Sequence, residues 1–342
     1  VIVEKEAGIE AGYLDKEYIS AGAKITERLE CLKQGDICLT VRMPSLKDIY
    51  KLKTSCILIG MLNPYQNKYL FDELNKQKIT SCCLELLPRI SRAQNMDVLS
   101  SQSNLAGYRS VIDAAEQFNK AFPMMMTAAG RINPAKVMVL GVGVAGLQAI
   151  ATAKRLGAVV SATDVRLATK EQVESLGAKF IMIEDEETHQ AETEGGYAKE
   201  MSEEYRRKQS QLLAETISKQ DIVICTALIP GKPSPVLVTP EMVDTMAPGS
   251  VIVDLAVEAG GNCPLSKINE IVSHKGVKII GYDNFPGRVA KDASSLYAKN
   301  IVNFLSLIIG KKDKKIIIDW EDEIIKAVIL THDGNLILEQ FK

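Results

Sequence analysis

Three glycines and one aspartate carry the clearest chemistry in this chain. Gly141, Gly143 and Gly146 follow the spacing GxGxxG, and Asp164 comes about 20 residues later. In that pattern the first glycine permits a tight turn. The second lets the backbone approach a pyrophosphate, and the third lets a helix pack close to a strand. The N-terminus of the following helix offers unpaired N–H groups and a positive dipole end to phosphate oxygens. A carboxylate at Asp164 accepts hydrogen bonds from the ribose hydroxyls of an adenosine and repels a 2′-phosphate, so NAD is expected over NADP. Arg166 is a counter-signal, because an arginine there accommodates that phosphate. With NAD as the ligand, Arg166 is expected along the adenine face or on the surface.

The segment KVMVLGVGVAGLQAIATAKRLGAVVSATDVR positions these groups. It reads as a strand over 137–140, a helix over 147–156 and a second strand over 159–163 that ends on the aspartate. Further strands are expected at 1–3, 37–41, 56–60 and 80–85, and at 221–226, 250–255 and 277–282. A helix over 104–121 is expected to stop at Pro123. A Leu- and Ile-rich helix over 290–309 is followed by the basic turn KKDKK. The end, AVILTHDGNLILEQ, sets Asp333-Gly334 between two apolar runs, a hairpin signal. The fold class that results is α/β. Two doubly wound, parallel-sheet (Rossmann-like) domains face each other across a cleft, with a C-terminal β-hairpin. The first domain takes 1–107 and 285–342 and is discontinuous and flavodoxin- or Rossmann-like. The second, 108–284, is the NAD-binding domain with a six-stranded sheet. The acidic stretch 184–204 lacks apolar periodicity and reads as an exposed, mobile loop.

Bulk properties exclude several classes. The 342 residues suffice for two domains, and a net charge of −2 gives no general case for nucleic acid or anionic lipid. The longest apolar runs, such as 301–310, are about half the ~18 residues of a membrane span. Seven cysteines without a CxxC read as reduced, buried thiols. The three histidines lack ligand spacing, and HExxH and GxSxG are absent, so neither a metal site nor a Ser-His-Asp triad is expected. The chain opens on VIVEK without Met and shows no signal peptide, and is expected to be a piece of something longer.

Several long stretches go further than the glycine motif. PRISRAQNMDVLSSQSNLAGYRSVIDAA (88–115), FPMMMTAAG, ETEGGYAKEM, TALIPGKP and VIVDLAVEAGGNCPLS resemble the NAD(H)-binding component of proton-translocating nicotinamide nucleotide transhydrogenases. So does the glycine segment itself, and the likeness runs nearly to the terminal hairpin. The family begins with a strand and helix upstream of VIVEKEAG that this chain lacks, which predicts an exposed sheet edge. The resemblance implies that the segment 89–100 holds the nicotinamide end of NAD, with Arg89, Gln94, Asp97 and Ser100 as its polar contacts. Gln94 would lie near the nicotinamide ribose, where the second nucleotide arrives. Read from the residues alone, Arg89 and Asp97 also fit a surface ion pair worth little. The resemblance makes the segment 184–201 a loop that closes on bound nucleotide, through Gly196 and Tyr197. It adds Val144, Val165, Gln209 and Leu228 to the pocket. It implies NAD(H) on this chain and NADP(H) on a partner domain. It also implies a separate proton-translocating membrane domain and a homodimer, with the apolar helix at 301–309 or the terminal hairpin as candidate interface. The complex would face the bacterial cytoplasm or an organellar matrix.

The chemistry separates the competing readings. Dehydrogenation of an alcohol or amine releases a proton and needs a general base. Hydride transfer between two nicotinamides moves no proton and needs proximity, orientation and exclusion of water. Alanine dehydrogenases, which share this architecture, use a Lys at a VKEP-like strand end and a His at a YLHLA-like one. The matching positions here are Arg42 and Met61, and their catalytic Asp is replaced by Glu258. Arginine holds its proton near neutrality and methionine has none to give. A non-catalytic NAD sensor is the third reading, and the polar segment 89–100 speaks against it.

Overall fold

Strands covered on both faces read as unbroken apolar runs, and Ile222–Cys225 and Val251–Asp254 are two such runs, buried at every residue. They lie in a seven-stranded sheet. Its order is Lys179–Phe180, Val159–Thr163, Lys136–Leu140, Ile222–Cys225, Val251–Asp254, Val277–Ile280 and Ile271–His274. The computed structural model describes residues 1–183, 202–229, 231–310 and 315–342. The chain divides into two compact units, 103–288, which carries this sheet, and 1–102 with 289–342.

Six strands of the seven run parallel, and the seventh, Ile271–His274, is antiparallel to Val277–Ile280. The sequence reading expected six strands and took HKGV as a connecting turn. Lys275 (φ 48°) and Gly276 (φ 84°) instead close a tight hairpin, the left-handed pair that a two-residue turn requires. Chain order runs outward from Lys136–Leu140 in both directions, so the sheet switches direction between that strand and Ile222–Cys225. Such a switch point leaves a crevice at the carboxyl ends of its strands, the general ligand position in these sheets.

Alternate residues feed two cores. Val137, Val139, Val160 and Ile224 meet Val111 and Ala114 of the helix Val98–Gln117 and Ala149, Ile150 and Ala153 of the helix Val144–Arg155. Met138, Leu140, Val223 and Cys225 meet Leu213 and Ile217 of the helix Glu203–Ile217 on the other face. The helix Val98–Gln117 starts earlier than periodicity predicts and ends before Pro123 is reached. Its last carbonyl, Gln117 O, is taken by Lys278 Nζ at 2.9 Å, a cationic cap at the negative dipole end.

The other unit has a five-stranded sheet, in the order Asn335–Leu336, Ile329–His332, Thr80–Cys83, Ile57–Met61 and Ile37–Arg42. The last three are parallel, and the terminal hairpin extends them antiparallel through Ile329–His332. Ile37–Arg42 is the edge strand and exposes Leu39 and Val41. Tyr297, Ile301, Phe304 and Ile308 recur at helical spacing along the helix Ala290–Ile308 and pack on Ile57 and Ile59. The interface expectation is therefore corrected. Ile301, Phe304 and Ile308, and Ile329 and Leu330 of the hairpin, are consumed by this unit's own core. The exposed apolar side chains lie elsewhere, among them Met124, Met126 and Ile132 at the two-stranded ribbon Met125–Thr127 and Gly130–Ile132. All seven cysteines are free thiols, five of them buried.

Candidate functional site

In residues 103–288 the glycine turn follows the strand Lys136–Leu140. Gly141 has φ 94°, and a Cβ there would lie 2.8 Å from Thr226 Oγ1 and 3.0 Å from Ala227 N. That conformation and closeness leave only glycine. A Cβ on Gly146 would overlap the carbonyl oxygen of Gly141, so the third glycine seats the helix on the turn. A Cβ on Gly143 would meet nothing within 4 Å, so the second glycine faces room for a ligand. Gly143 is also the N-cap of the helix Val144–Arg155, and no side chain caps it. Its first-turn N–H groups are left to bind a phosphate. These features fit a dinucleotide pyrophosphate.

Neighbouring strands fix the turn. Gly141 N–H donates to Thr163 O at 2.9 Å, and Thr226 Oγ1 donates to Gly141 O at 2.8 Å. Asn262, fully buried, then anchors the next residues. Its Oδ1 accepts from Ala227 N at 3.1 Å, and its Nδ2 donates to Ala227 O at 2.9 Å and Pro235 O at 2.7 Å. Leu228, exposed, projects from this anchored segment. Sequence reasoning missed Thr226 and Asn262, whose only signal was membership of the stretches TALIPGKP and VIVDLAVEAGGNCPLS. It also missed Gly107. A Cβ there would overlap Ala145 O, so the helix Val98–Gln117 crosses directly against the phosphate-facing helix end.

Asp164 sits beside the turn and is buried. Its Oδ2 accepts from Val142 N at 2.8 Å and Arg166 Nη2 at 2.7 Å; its Oδ1 accepts from Arg166 N at 2.9 Å and Arg166 Nε at 2.8 Å. Arg166 Nη2 also reaches Val142 O at 3.2 Å. Arg166 is therefore no surface side chain; it folds back on the carboxylate next to it. A carboxylate offers about four lone-pair sites, and these four bonds fill them. A ribose hydroxyl bonds here only once the guanidinium moves off. Val165 lies half-buried between the pair, and Val144 is exposed at the helix start. Gln209 is half-buried on the helix Glu203–Ile217, which covers the sheet face opposite the helix Val144–Arg155. Gly196 and Tyr197 lie outside the described residues.

In the other unit, Gln94 is exposed on the short turn Ser91–Met96, between buried Ala93 and Met96. Arg92 grips Asp322 with two nitrogens, at 2.6 and 2.8 Å. That guanidinium holds the Asp322 carboxyl below the usual carboxylate range. Asp97 closes the turn and opens the helix Val98–Gln117: its Oδ1 accepts from Ser100 N at 2.9 Å and its Oδ2 from Ser100 Oγ at 2.5 Å. Asp97 thus caps the helix. Arg89, exposed, stands just before the same turn. The four residues expected at the nicotinamide end therefore share one short, anchored piece of backbone.

The positions that would carry acid–base chemistry lie close by in the same unit. Arg42 and Met61 are register partners at the carboxyl ends of adjacent parallel strands. Glu85 accepts the N–H of Asn63 just beyond Met61, and burial pushes its carboxyl up. In residues 103–288, Glu258 is exposed on the turn Val257–Ala259. Asp254, buried, accepts from Ala256 N and Cys263 N at 3.0 Å each and from Ser266 Oγ at 2.6 Å, so it holds its loop in place.

Comparison with known proteins agrees with this geometry. The family models for the alanine dehydrogenase/PNT N-terminal and C-terminal domains match residues 1–106 and 110–339. The chain is 55% identical to the first of the polypeptides that make up NAD(P) transhydrogenase subunit alpha in Rhodospirillum rubrum, over 98% of this chain and 89% of that one. The crystal structure of transhydrogenase from Sinorhizobium meliloti superposes with a TM-score of 0.89 at 50% identity, covering 98% of this chain and 91% of that one. An L-alanine dehydrogenase structure gives 0.81 at 22% identity, covering 100% and 89%, a likeness of fold alone. The chain belongs to the alanine dehydrogenase/PNT family and, within it, to the NAD(P) transhydrogenase alpha subunits.

Proposed function

We propose that this chain binds NAD(H) and exchanges a hydride directly with NADP(H) held by a partner domain. The glycine turn and the first turn of the helix Val144–Arg155 take the pyrophosphate. Asp164 takes the adenosine ribose once Arg166 swings away. Arg89, Gln94, Asp97 and Ser100 orient the nicotinamide end, and the segment 184–201, with Gly196 and Tyr197, closes over the nucleotide. Val144, Val165, Gln209 and Leu228 complete its pocket. The bound dihydronicotinamide supplies the hydride from its C4, and the oxidised nicotinamide of the second nucleotide accepts it at C4. The protein's own task is to place the rings in contact and exclude water.

One observation carries this reading over amino-acid dehydrogenation. Arg42 and Met61, side by side in register, stand where alanine dehydrogenases keep proton-transferring side chains, and neither moves a proton near neutrality. No helix among the described residues is long and apolar enough to cross a membrane. We assign proton translocation to a separate membrane domain, with this chain on the cytoplasmic or matrix side and paired as a homodimer.

The deciding assay adds an NADP(H)-binding transhydrogenase domain, with NADPH as donor and an NAD analogue of shifted absorbance as acceptor. Transfer that requires both proteins and no alanine supports the reading. Alanine-dependent NAD reduction by this chain alone overturns it. NADH binding without transfer points to a sensor. Within the site, Asp164→Ala is expected to weaken NADH binding by about 1–3 kcal/mol, the scale for a ribose hydroxyl left unpaired. Fluorescence titration with NADH reads this directly, and an unchanged affinity would remove Asp164 from the site.

A further inference from the structure

We propose that Asn300 is a positioning residue for Gln94, acting through the backbone of the turn Ser91–Met96. The inference rests on the role given to Gln94 above. Asn300 lies on the helix Ala290–Ile308 among Tyr297, Ile301 and Phe304, all buried in the apolar core. Its own amide is 7% exposed. Burying an amide in such a seam is costly unless its groups are bonded, and an apolar side chain would fill the space without that cost.

The partners of the amide explain its presence. Nδ2 donates to Asn95 O at 2.9 Å, the residue after Gln94. Oδ1 accepts from Ser101 Oγ at 2.8 Å, on the first turn of the helix that leaves the loop. One buried side chain thus ties both flanks of the exposed Gln94 turn to a rigid helix. Asn303, one helical step on and exposed, donates its Nδ2 to the same Asn95 O at 2.9 Å. A carbonyl has two lone pairs, and the two asparagines take both. Arg92 secures the other side of Gln94 on Asp322. Gln94 therefore projects from a backbone pinned on each side, although its side chain stands in solvent. Buried, fully bonded polar groups select one geometry where apolar packing allows several. Reactions that depend on ring placement feel such selection strongly, since a 1 Å error costs on the order of 100-fold in rate.

The test is a single-turnover hydride transfer assay on the full chain with an NADP(H)-binding transhydrogenase domain, at saturating NADH and normalised to folded protein. Asn300→Ser is expected to slow transfer about 30-fold and Asn303→Ala about fivefold, with the Kd for NADH within threefold of the parent. If Asn300 acts through Gln94, Asn300→Ser adds no further loss in a Gln94→Asn background. Parent-like transfer in both single variants overturns the proposal even if the unfolding midpoint drops, for that is the signature of packing alone. Full additivity with Gln94→Asn overturns it too. Should Asn300→Ser fail to fold, the exposed Asn303→Ala decides: a loss below twofold refutes the pinning. If the parent protein binds NADH yet gives no transfer, the functional reading itself falls, and the proposal with it.

Discussion

Gln94→Asn is expected to slow hydride transfer about 100-fold while leaving NADH affinity within about threefold. The substitution keeps the amide and withdraws it by one methylene, so it tests position and not chemistry. The backbone cannot follow the shortened side chain. Ala93 and Met96 are buried on either side, Arg92 is bound to Asp322, and Asn95 O is held twice. A group whose interactions were equal in the bound and transition states would change binding and rate together. One that matters only when the rings are aligned changes the rate alone. Stopped-flow transfer beside equilibrium NADH titration separates these cases. Equal losses in both would make Gln94 a binding residue.

The sequence was most transparent where local patterning and burial agree. Val159–Thr163 falls where its apolar run predicts it, and the three glycines meet the separate demands their spacing implies: a left-handed turn, an open approach and a tight helix seat. Patterning failed where exposure hid an element. Ile271–His274 is an edge strand with alternate residues exposed, so it carries no apolar run and passed as a turn. The helix Val98–Gln117 begins at a polar stretch because Asp97 and Ser100 cap one another, a local bond that hydrophobic periodicity does not register. Partners distant in sequence were invisible in principle. Nothing in VRL says that Arg166 will fill the carboxylate of Asp164, and nothing in KNIVNF says that Asn300 and Asn303 reach back to Asn95. The interface guess failed for the complementary reason. An apolar helix is a statement about burial, and the structure satisfies it internally, leaving the methionine-bearing ribbon at 125–132 as an exposed apolar surface.

Asp113→Ala should destabilise residues 103–288 by about 3 kcal/mol. Asp113 is 1% exposed and accepts from Arg109 Nη2 at 2.6 Å, Arg288 Nε at 2.7 Å and Arg288 Nη2 at 3.0 Å. Arg288 also lies over the Tyr282 ring, 4.3 Å from its centroid. Removing one partner from a buried ion pair costs about 3–5 kcal/mol because the other charges stay behind. Both arginines keep some contact with water, with side chains 22% and 33% exposed, which places the expected loss at the low end. The pair matters to the site because it holds the helix Val98–Gln117, whose Gly107 presses on the carbonyl of Ala145 at the phosphate-facing helix end. Hydrogen exchange at the strands Lys136–Leu140 and Ile222–Cys225 reads the stability of this unit without reference to the other. A loss of about 3 kcal/mol accelerates exchange through global opening by roughly 100-fold. Saturating NADH, near 100 times its Kd, should return about 2.7 kcal/mol to variant and parent alike. A smaller return in the variant would mean that Asp113 also shapes the nucleotide site, and a loss below about 1 kcal/mol would show that the two arginines are satisfied by solvent.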